Sequence, residues 1–271
     1  MKGKTDMKKS EFEKPQLSQV ENLTMQLAIA NRKLKESEQQ RLDMIANISH
    51  DLRAPMTAIR SGIDYLNTFS ANSMISYEEF SQILHVLDMR SQALQHLIND
   101  LFYLTSLESK KDAFHFETLP LLPFLEEYFF SLEGDTHYAD RQLCLDVPET
   151  LQVSVSIDSD RIIRVLDNLF TNARKYSQEN DFIRLNAFVT ENNTVCISVA
   201  DTGIGIPEES IEKIFQRSYT VSSSRTPNSP TGSGLGLSIV KAIIQRHGGT
   251  VWCKSQVGKG SIFYFTLPIV P

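Results

Sequence analysis

The feature that most constrains the fold of this chain is a change in the spacing of its apolar residues after position 109. Before that position they recur alternately three and four residues apart, as in a helix that buries one stripe against another helix. After it, aromatic and β-branched residues occur in short alternating runs, as in strands. The helical stripes comprise Val20, Leu23, Leu27, Ala30 and Leu34, then Leu42, Ile45, Ser49, Leu52, Met56, Ile59, Ile63 and Leu66, and finally Phe80, Ile83, Leu87, Arg90, Leu94, Leu97, Leu101 and Leu104.

The helical part divides into three predicted segments. Residues 1–14 are polar, charged and without period, which predicts a flexible tail. Residues 15–41 carry a coiled-coil seam, and residues 42–109 carry two stripes separated by small polar residues between Thr68 and Ser76. Two amphipathic helices joined by a short loop predict an antiparallel hairpin. Its leftover apolar stripe predicts that two copies pair into a four-helix bundle, so we expect a homodimer.

Residues 112–271 are predicted to form an α/β domain, with a mixed sheet covered on one face by helices in an α/β sandwich. The predicted strands cover residues 113–117, 142–147, 152–157, 182–190, 194–200, 250–255 and 261–267. The predicted helices cover residues 121–132, 158–176, 208–215 and 234–247. A stretch rich in Ser, Thr, Pro and Asn between Phe215 and Gly232 is longer than most connections, which favours a mobile lid.

Composition narrows the class of protein. A chain of 271 residues with 41% hydrophobic content can build two cores, and its formal net charge of -6 argues against a nucleic-acid-binding protein. Cys144, Cys196 and Cys253 match no metal-binding or redox spacing, which favours a reducing compartment. The sequence contains no apolar run of about 18 residues. These features predict a cytoplasmic protein, and an upstream sensor or membrane segment in a longer parent stays open.

A histidine follows the seam in the run Ile48-Ser49-His50-Asp51-Leu52-Arg53-Ala54-Pro55. His50 comes one residue after the seam position Ser49, so its side chain is predicted to face solvent. A neutral imidazole offers a nucleophilic lone pair, and the adjacent Asp51 can hold the opposite ring N–H or accept a proton. Pro55 removes an N–H from the helical ladder, which predicts a bend beside the histidine.

Three downstream motifs carry the residue types of a nucleotide site. Asn168 and Asn172 lie four apart on one face of a predicted helix, and amide oxygens suit Mg²⁺. The run Asp201-Thr202-Gly203-Ile204-Gly205-Ile206-Pro207 follows a strand, where a carboxylate can accept an N–H from adenine and glycines let the backbone approach the base. The run Gly232-Ser233-Gly234-Leu235-Gly236-Leu237 opens a helix, whose first N–H groups can bind phosphate. Ile206 and Ile214 are candidates for adenine contact or for core packing.

Together these motifs resemble the sensor histidine kinases of two-component systems, over residues 42–268. The histidine run is similar to their phosphoacceptor box, and the other three runs are similar to the asparagine box and the two glycine boxes of the kinase and gyrase ATP-binding superfamily. The resemblance implies that the chain binds Mg·ATP, phosphorylates His50, and passes the phosphoryl group to an aspartate of a response-regulator receiver domain. It implies Asn172 as the Mg²⁺ ligand, Asn168 as a second polar contact, Lys175 as a phosphate contact and Tyr176 as a wall of the nucleotide site.

Two departures from the family pattern, and one contrast with the hydrolytic members of the superfamily, carry predictions. Ala54 stands where the family commonly has Thr or Asn to position a hydrolytic water, which predicts weak phosphatase activity toward the regulator. Asn168 stands where hydrolytic superfamily members have Glu, and an amide cannot act as a base, which favours transfer over hydrolysis. Residues 215–220 match the lid box only partly, so Arg217 and Arg225 remain either phosphate contacts or solvated charges.

Two other functions stay open on the sequence. One is a hydrolytic ATPase of the gyrase and chaperone class, against which Asn168 and His50 argue. The other is a non-catalytic dimerisation scaffold, a pseudokinase whose activity has been lost through the changes in the lid. Transfer to His50 within one chain or between two chains is also open, because the handedness of the hairpin decides it.

Overall fold

The N-terminal part of the chain is helical, with α1 at Thr5–Phe69 and α2 at Tyr77–Glu108. The computed structural model describes residues 5–69, 75–108, 113–217, 219–221 and 234–270, and the side chains of α1 mainly from residue 22 onward. A flexible tail is predicted over residues 1–14, whereas α1 begins at Thr5; residues 1–4 lie outside the described part of the chain. The Lys and Glu residues of that segment are good helix formers, so its charge does not prevent a helix.

The chain divides into two units, residues 1–51 and residues 52–271. In the first unit the predicted seam lies open to solvent. Its large apolar side chains are between 49% and 62% exposed, and they are Leu23, Leu27, Leu34, Leu42 and Ile45. A stripe of this kind is what a partner helix buries in a coiled coil.

The second unit opens with the end of α1 packed against α2. The Tyr65 hydroxyl donates to Glu79 Oε1 at 2.6 Å. A Cβ on Gly62 would lie 2.8 Å from Leu87, so the glycine lets the two helices approach closely. From the first contact to the second, the residue number falls in α1 and rises in α2, so the two helices are antiparallel. The predicted antiparallel hairpin is confirmed. Among the described residues, no helix combines the length and apolarity needed to cross a membrane.

The α/β domain contains a seven-stranded sheet in the order β1-β3-β7-β5-β4-β2, with β6 also paired to β7. Its strands are β1 Glu117–Pro120, β2 Gln142–Asp146, β3 Ser154–Ile157, β4 Phe182–Val189, β5 Thr194–Asp201, β6 Val251–Gln256 and β7 Gly260–Val270. The β2–β4 pair is parallel and the other pairs are antiparallel, which confirms the predicted mixed sheet.

Helices cover one face of this sheet, as predicted. They are α3 Leu121–Glu133, α4 Ser159–Tyr176, α5 Glu208–Ile211 and α6 Gly236–Arg246, with a 3-10 turn at Thr136–Tyr138. The helix α4 buries a complete apolar stripe, formed by Ile162, Val165, Leu166, Leu169, Phe170 and Ala173. The helix packs on β5 and β4 of the sheet. The opposite face of the sheet leaves Phe182 and Phe188 exposed.

The C-terminal turns of α2 pack on the α/β domain inside the second unit. Arg164 of α4 donates to Asp100 at 2.8 Å, and its guanidinium lies 3.6 Å from the centroid of the Tyr103 ring. Arg246 of α6 donates to the carbonyl oxygen of Leu107 at 3.2 Å. Charge-assisted bonds and cation–π contacts of this kind fix the end of α2 to both helices.

Two predicted elements differ from the structure. The strand predicted at 113–117 is absent, and β1 lies at Glu117–Pro120 instead. Phe114 and Phe116 alternate as in a strand, but both rings pack against the ring of His247. Their centroids lie 5.3 and 5.1 Å from the centroid of that ring. The helix predicted at 208–215 ends at Ile211. The chain then continues as turns, in which the side chains of Ile214 and Phe215 are buried.

Candidate nucleotide site and acceptor histidine

The helix α4 positions the predicted asparagine motif. The Asp158 side chain caps its first turn by accepting from the Arg161 N–H at 3.2 Å, and the backbone N–H of Asp158 donates to Nε2 of His247 at 3.0 Å. Since the apolar stripe faces the sheet, the flanks and the outer side of the helix are left for polar residues. Asn168, Asn172, Lys175 and Tyr176 are all half-buried there.

Asn168 joins the asparagine motif to the second glycine motif. Its Nδ2 donates to the carbonyl oxygen of Arg164 at 2.8 Å. Its Oδ1 lies against Gly236, where an added Cβ would be only 2.5 Å away. The start of α6 therefore reaches α4 at Asn168, and this approach requires a glycine.

The start of α6 supplies backbone donors. Gly234 adopts a positive φ of 65°, a backbone conformation that suits glycine, and Leu235 follows at the N-cap with its side chain fully buried. Leucine has no polar side chain to occupy the first N–H groups of the helix, so these donors suit a phosphate. Leu237 is half-buried in the first turn. Gly232, Arg225 and most of the predicted lid lie outside the described residues.

Asp201 ends β5 with its carboxylate inside the domain, 7% exposed. Burial raises the pKa of Asp201 to about 6, while hydrogen bonds from the backbone N–H groups of Gly203 and Ser261 act in the opposite direction. The Gly203 N–H lies 2.9 Å from Oδ1. An ionised carboxylate has about four acceptor positions, so two such bonds leave room for an N–H of a bound base.

The first glycine motif is held between α4 and β6. The Ile204 N–H donates to the carbonyl oxygen of Tyr176 at 3.0 Å, and a Cβ on Gly203 would overlap that same oxygen. On the other side, the Ile206 N–H donates to Ser255 Oγ at 2.7 Å. Gly205, with a φ of 71°, turns the chain between these two anchors. The loop is thereby fixed next to Tyr176.

The remaining predicted contacts are Lys175, Ile206, Arg217 and Ile214. Lys175 lies 4.8 Å from the centroid of the Tyr176 ring, so both side chains stay at the end of α4. Ile206 is half-buried, and Arg217 is exposed. Ile214 is buried in the domain, which favours core packing for this residue over contact with a base.

His50 belongs to the first unit. Its side chain is 68% exposed, as the seam predicts, and Nδ1 lies 3.3 Å from Asp51 Oδ1. The neighbouring Ser49 turns its hydroxyl back onto the carbonyl oxygen of Ile45 at 2.7 Å. Because Asp51 takes up Nδ1, Nε2 is the ring nitrogen left for attack on an electrophile.

Two contributors to the site carry no signal in the sequence. Ser255 sits in a strand where nothing in its neighbours marks it, yet it anchors the Ile206 N–H. The second is His247, which is a structural residue. Its buried ring accepts from Asp158, and Nδ1 lies 2.9 Å from the carbonyl oxygen of Ile243. Burial lowers the pKa of His247, in keeping with a neutral ring.

Fold and site define a protein with a helical domain that displays a histidine, followed by a nucleotide-binding domain. Two family models match these parts. The His Kinase A phospho-acceptor domain matches residues 40–110, and the histidine kinase-, DNA gyrase B- and HSP90-like ATPase matches residues 157–271. The chain belongs to the sensor histidine kinases of two-component systems.

Curated relatives and solved structures agree with this family. Sensor histidine kinase WalK of Bacillus subtilis is 35% identical over 237 residues, which are 86% of this chain and 38% of that protein. Sensor protein kinase WalK of Staphylococcus aureus is 32% identical over the same shares. The chain thus spans well under half the length of these relatives. Histidine kinase ThkA, solved in complex with response regulator protein TrrA, is similar with a TM-score of 0.68 and 25% identity, over 88% of this chain and 66% of that one.

The contact between Gly236 and Asn168 yields a test. In Gly236→Ala the new methyl group would meet Asn168 Oδ1 at 2.5 Å, so α6 must shift away from α4. Alanine favours a helix, and stability should therefore not fall on that account. We expect calorimetric titration to give an affinity for ATP about tenfold lower. The control is Gly134→Ala, whose Cβ has its nearest neighbour at 3.7 Å. An unchanged affinity in Gly236→Ala would show that the approach of α6 to α4 does not shape the site.

Proposed function

We propose that this chain is a protein histidine kinase that binds Mg·ATP and transfers the γ-phosphoryl group to His50. The observation that carries the proposal is the convergence of three motifs in the second unit. Asn168 meets Gly236, while Tyr176 meets the loop after Asp201. The exposed imidazole of His50, with Nδ1 beside Asp51, supplies the acceptor.

The nucleotide would lie across these motifs. The Asp201 carboxylate has acceptor capacity left for the adenine amino group, and the loop of Gly203, Gly205 and Ile206 would line the base. The first N–H groups of α6, around Gly234, Leu235, Gly236 and Leu237, would bind phosphate oxygens, as would Lys175. Tyr176 would form a wall of the site. Arg217, Arg225 and Gly232 are proposed as phosphate or lid contacts on the family resemblance alone.

The residues present fit a magnesium ion. Asn168 has its Nδ2 engaged by a backbone carbonyl, so its Oδ1 is the atom turned toward the glycine cradle of α6. Asn172 lies one turn further on the same helix, and amide oxygens are hard ligands suited to Mg²⁺. Asn172 is proposed as the ligand and Asn168 as a second polar contact. When bound, the ion supplies neutralisation of phosphate charge.

In the transfer step the Nε2 lone pair of His50 attacks the γ-phosphorus. The new N–P bond forms as the bond from the γ-phosphorus to the β–γ bridging oxygen breaks, and ADP leaves with that electron pair. The Nδ1–H stays against Asp51 Oδ1, which stabilises the positive ring. Asn168 cannot accept a proton from water, so the site favours transfer to a positioned acceptor over hydrolysis. The acceptor is His50 of the same chain or of the second copy.

The partners follow from the same proposal. The phosphoryl group would pass to an aspartate of a response-regulator receiver domain, in keeping with the similarity to ThkA in its complex with a response regulator. The exposed seam of α1 supports a homodimer through the helical hairpin. We assign residues 15–41 to a signalling coiled coil, 42–109 to the dimerisation and acceptor domain, and 112–271 to the ATP-binding domain. A cytoplasmic location is proposed because the site needs ATP.

Labelling from ATP tests the function. Incubation with γ-labelled ATP and Mg²⁺ should give a protein label that is stable in alkali and lost in acid, as expected of a phosphoramidate. His50→Gln should abolish this label, because the amide has no nucleophilic nitrogen. The matched control is His85→Gln, since His85 is also an exposed histidine on a helix. Phosphate release that continues at the original rate in His50→Gln would favour a hydrolytic ATPase, and bound ATP without any label would favour a scaffold.

The buried carboxylate predicts a pH dependence. Because burial raises the pKa of Asp201 to about 6, the group gains a proton as the pH falls through that value and then loses acceptor capacity. Affinity for ATP should therefore fall about fourfold between about pH 7.5 and about pH 5.5. Asp201→Asn should bind more weakly and lack this component, so its profile records the titration of the nucleotide itself. Parallel profiles for the two proteins would contradict the role of Asp201.

Ala54 predicts weak phosphatase activity toward the regulator. It is exposed on α1, four residues after His50, and it has no group that could hold a water. Ala54→Thr should raise the rate at which the protein with ADP dephosphorylates its regulator, by about tenfold, without changing labelling of His50. The control is Ala46→Thr, one turn before the histidine. A rate insensitive to Ala54→Thr would refute the proposed role of this position.

A further inference from the structure

Arg141 lies outside every motif that marks the nucleotide site. It immediately precedes β2, and its side chain is only 10% exposed. A guanidinium must keep its donors satisfied when it is withdrawn from water. Those of Arg141 are turned onto the end of α4, which follows more than thirty residues later in the chain.

The guanidinium binds the C-terminus of α4 at three atoms. Nε donates to Ser177 Oγ at 2.9 Å. Nη2 donates to the carbonyl oxygens of Arg174 at 3.2 Å and Ser177 at 3.0 Å. Nη1 is oriented by Asp140 Oδ2 at 2.7 Å. The last carbonyl groups of a helix have no partner within it and carry partial negative charge, so a cation there satisfies and neutralises them.

These contacts enclose two residues of the nucleotide site. Arg174 and Ser177 flank Lys175 and Tyr176, so Arg141 is hydrogen-bonded to the chain on both sides of these two residues. From the other direction, the Tyr176 carbonyl oxygen accepts the N–H of Ile204 in the first glycine motif. The end of α4 is thereby held between Arg141 and the loop that is proposed to line the base.

We propose that Arg141 is a positioning residue for ATP, acting through Lys175 and Tyr176. This role rests on the proposed function of the site. The planar fork of an arginine binds several acceptors at once, which a lysine ammonium on a flexible stem does not reproduce. Loss of the fork frees the last turn of α4, so the phosphate contact of Lys175 and the wall formed by Tyr176 become less well placed. Chemistry at His50 needs no contact with Arg141, so the effect falls on binding of ATP.

The test compares Arg141→Ala, Arg141→Lys and the control Arg184→Ala in the full chain. Arg184 is an exposed arginine of β4, and its Nη1 lies 3.9 Å from Asp146 Oδ2. We expect Arg141→Ala to raise both the Kd for ATP and the KM for autophosphorylation by about tenfold, with kcat at saturating ATP within about twofold of the unchanged protein. Arg141→Lys should give constants between those of Arg141→Ala and those of the unchanged protein. Arg184→Ala should change neither the Kd nor the KM by more than about twofold.

The outcomes separate the positioning role from a merely structural one. A fall in kcat with unchanged KM, or equal rises in KM for Arg141→Ala and Arg184→Ala, would overturn the inference. If circular dichroism shows that Arg141→Ala does not fold, Arg141→Lys decides, and a KM equal to that of the unchanged protein would overturn the role. Unchanged protein that fails to bind Mg·ATP would overturn the proposed function itself, whereas equally tight ATP binding in Arg141→Ala would overturn only the role of Arg141.

Discussion

The packing of α4 on the sheet is the constraint on which the site depends. Its apolar stripe, from Ile162 to Ala173, is buried, and this fixes the rotation of the helix. With the rotation fixed, Asn168 and Asn172 lie beside the buried stripe, on the part of α4 near which α6 packs. The glycine at position 236 lets α6 come close enough to touch Asn168. A buried hydrophobic face therefore determines where the polar atoms lie, because close-packed cores permit little rotation.

Contacts at both ends of α4 turn this helix into the link between the nucleotide site and the rest of the second unit. At its start, Asp158 binds His247, and Arg164 binds Asp100 of α2. At its end, Arg141 holds the last turn. The carbonyl oxygen of Arg164 also accepts a hydrogen bond from Asn168 Nδ2, so the residue that contacts α2 is one turn from the proposed second polar contact of the site. Because these bonds hold α4 at both ends, the helix can change from one arrangement to another only if they break and re-form together.

Much of the site could be predicted because its residues lie on elements with strong local patterns. The 3.6-residue period of α4 placed Asn168 and Asn172 together, and the glycine runs marked turns at the ends of elements. Contacts between distant residues could not be predicted this way. Arg141 and Ser177 are 36 residues apart, and no local pattern joins them. The strand expected at 113–117 was wrong because Phe114 and Phe116 alternate as strand residues do while packing against His247.

The central claim is that the bound nucleotide gives its γ-phosphoryl group to one imidazole. Mapping of phosphopeptides by mass spectrometry tests it most directly, on the unchanged protein after incubation with Mg·ATP and digestion under alkaline conditions that preserve phosphohistidine. We expect phosphate on the peptide that carries His50, with fragment ions that assign it to the imidazole. Phosphate on another residue, or none while ATP is bound, would contradict the account.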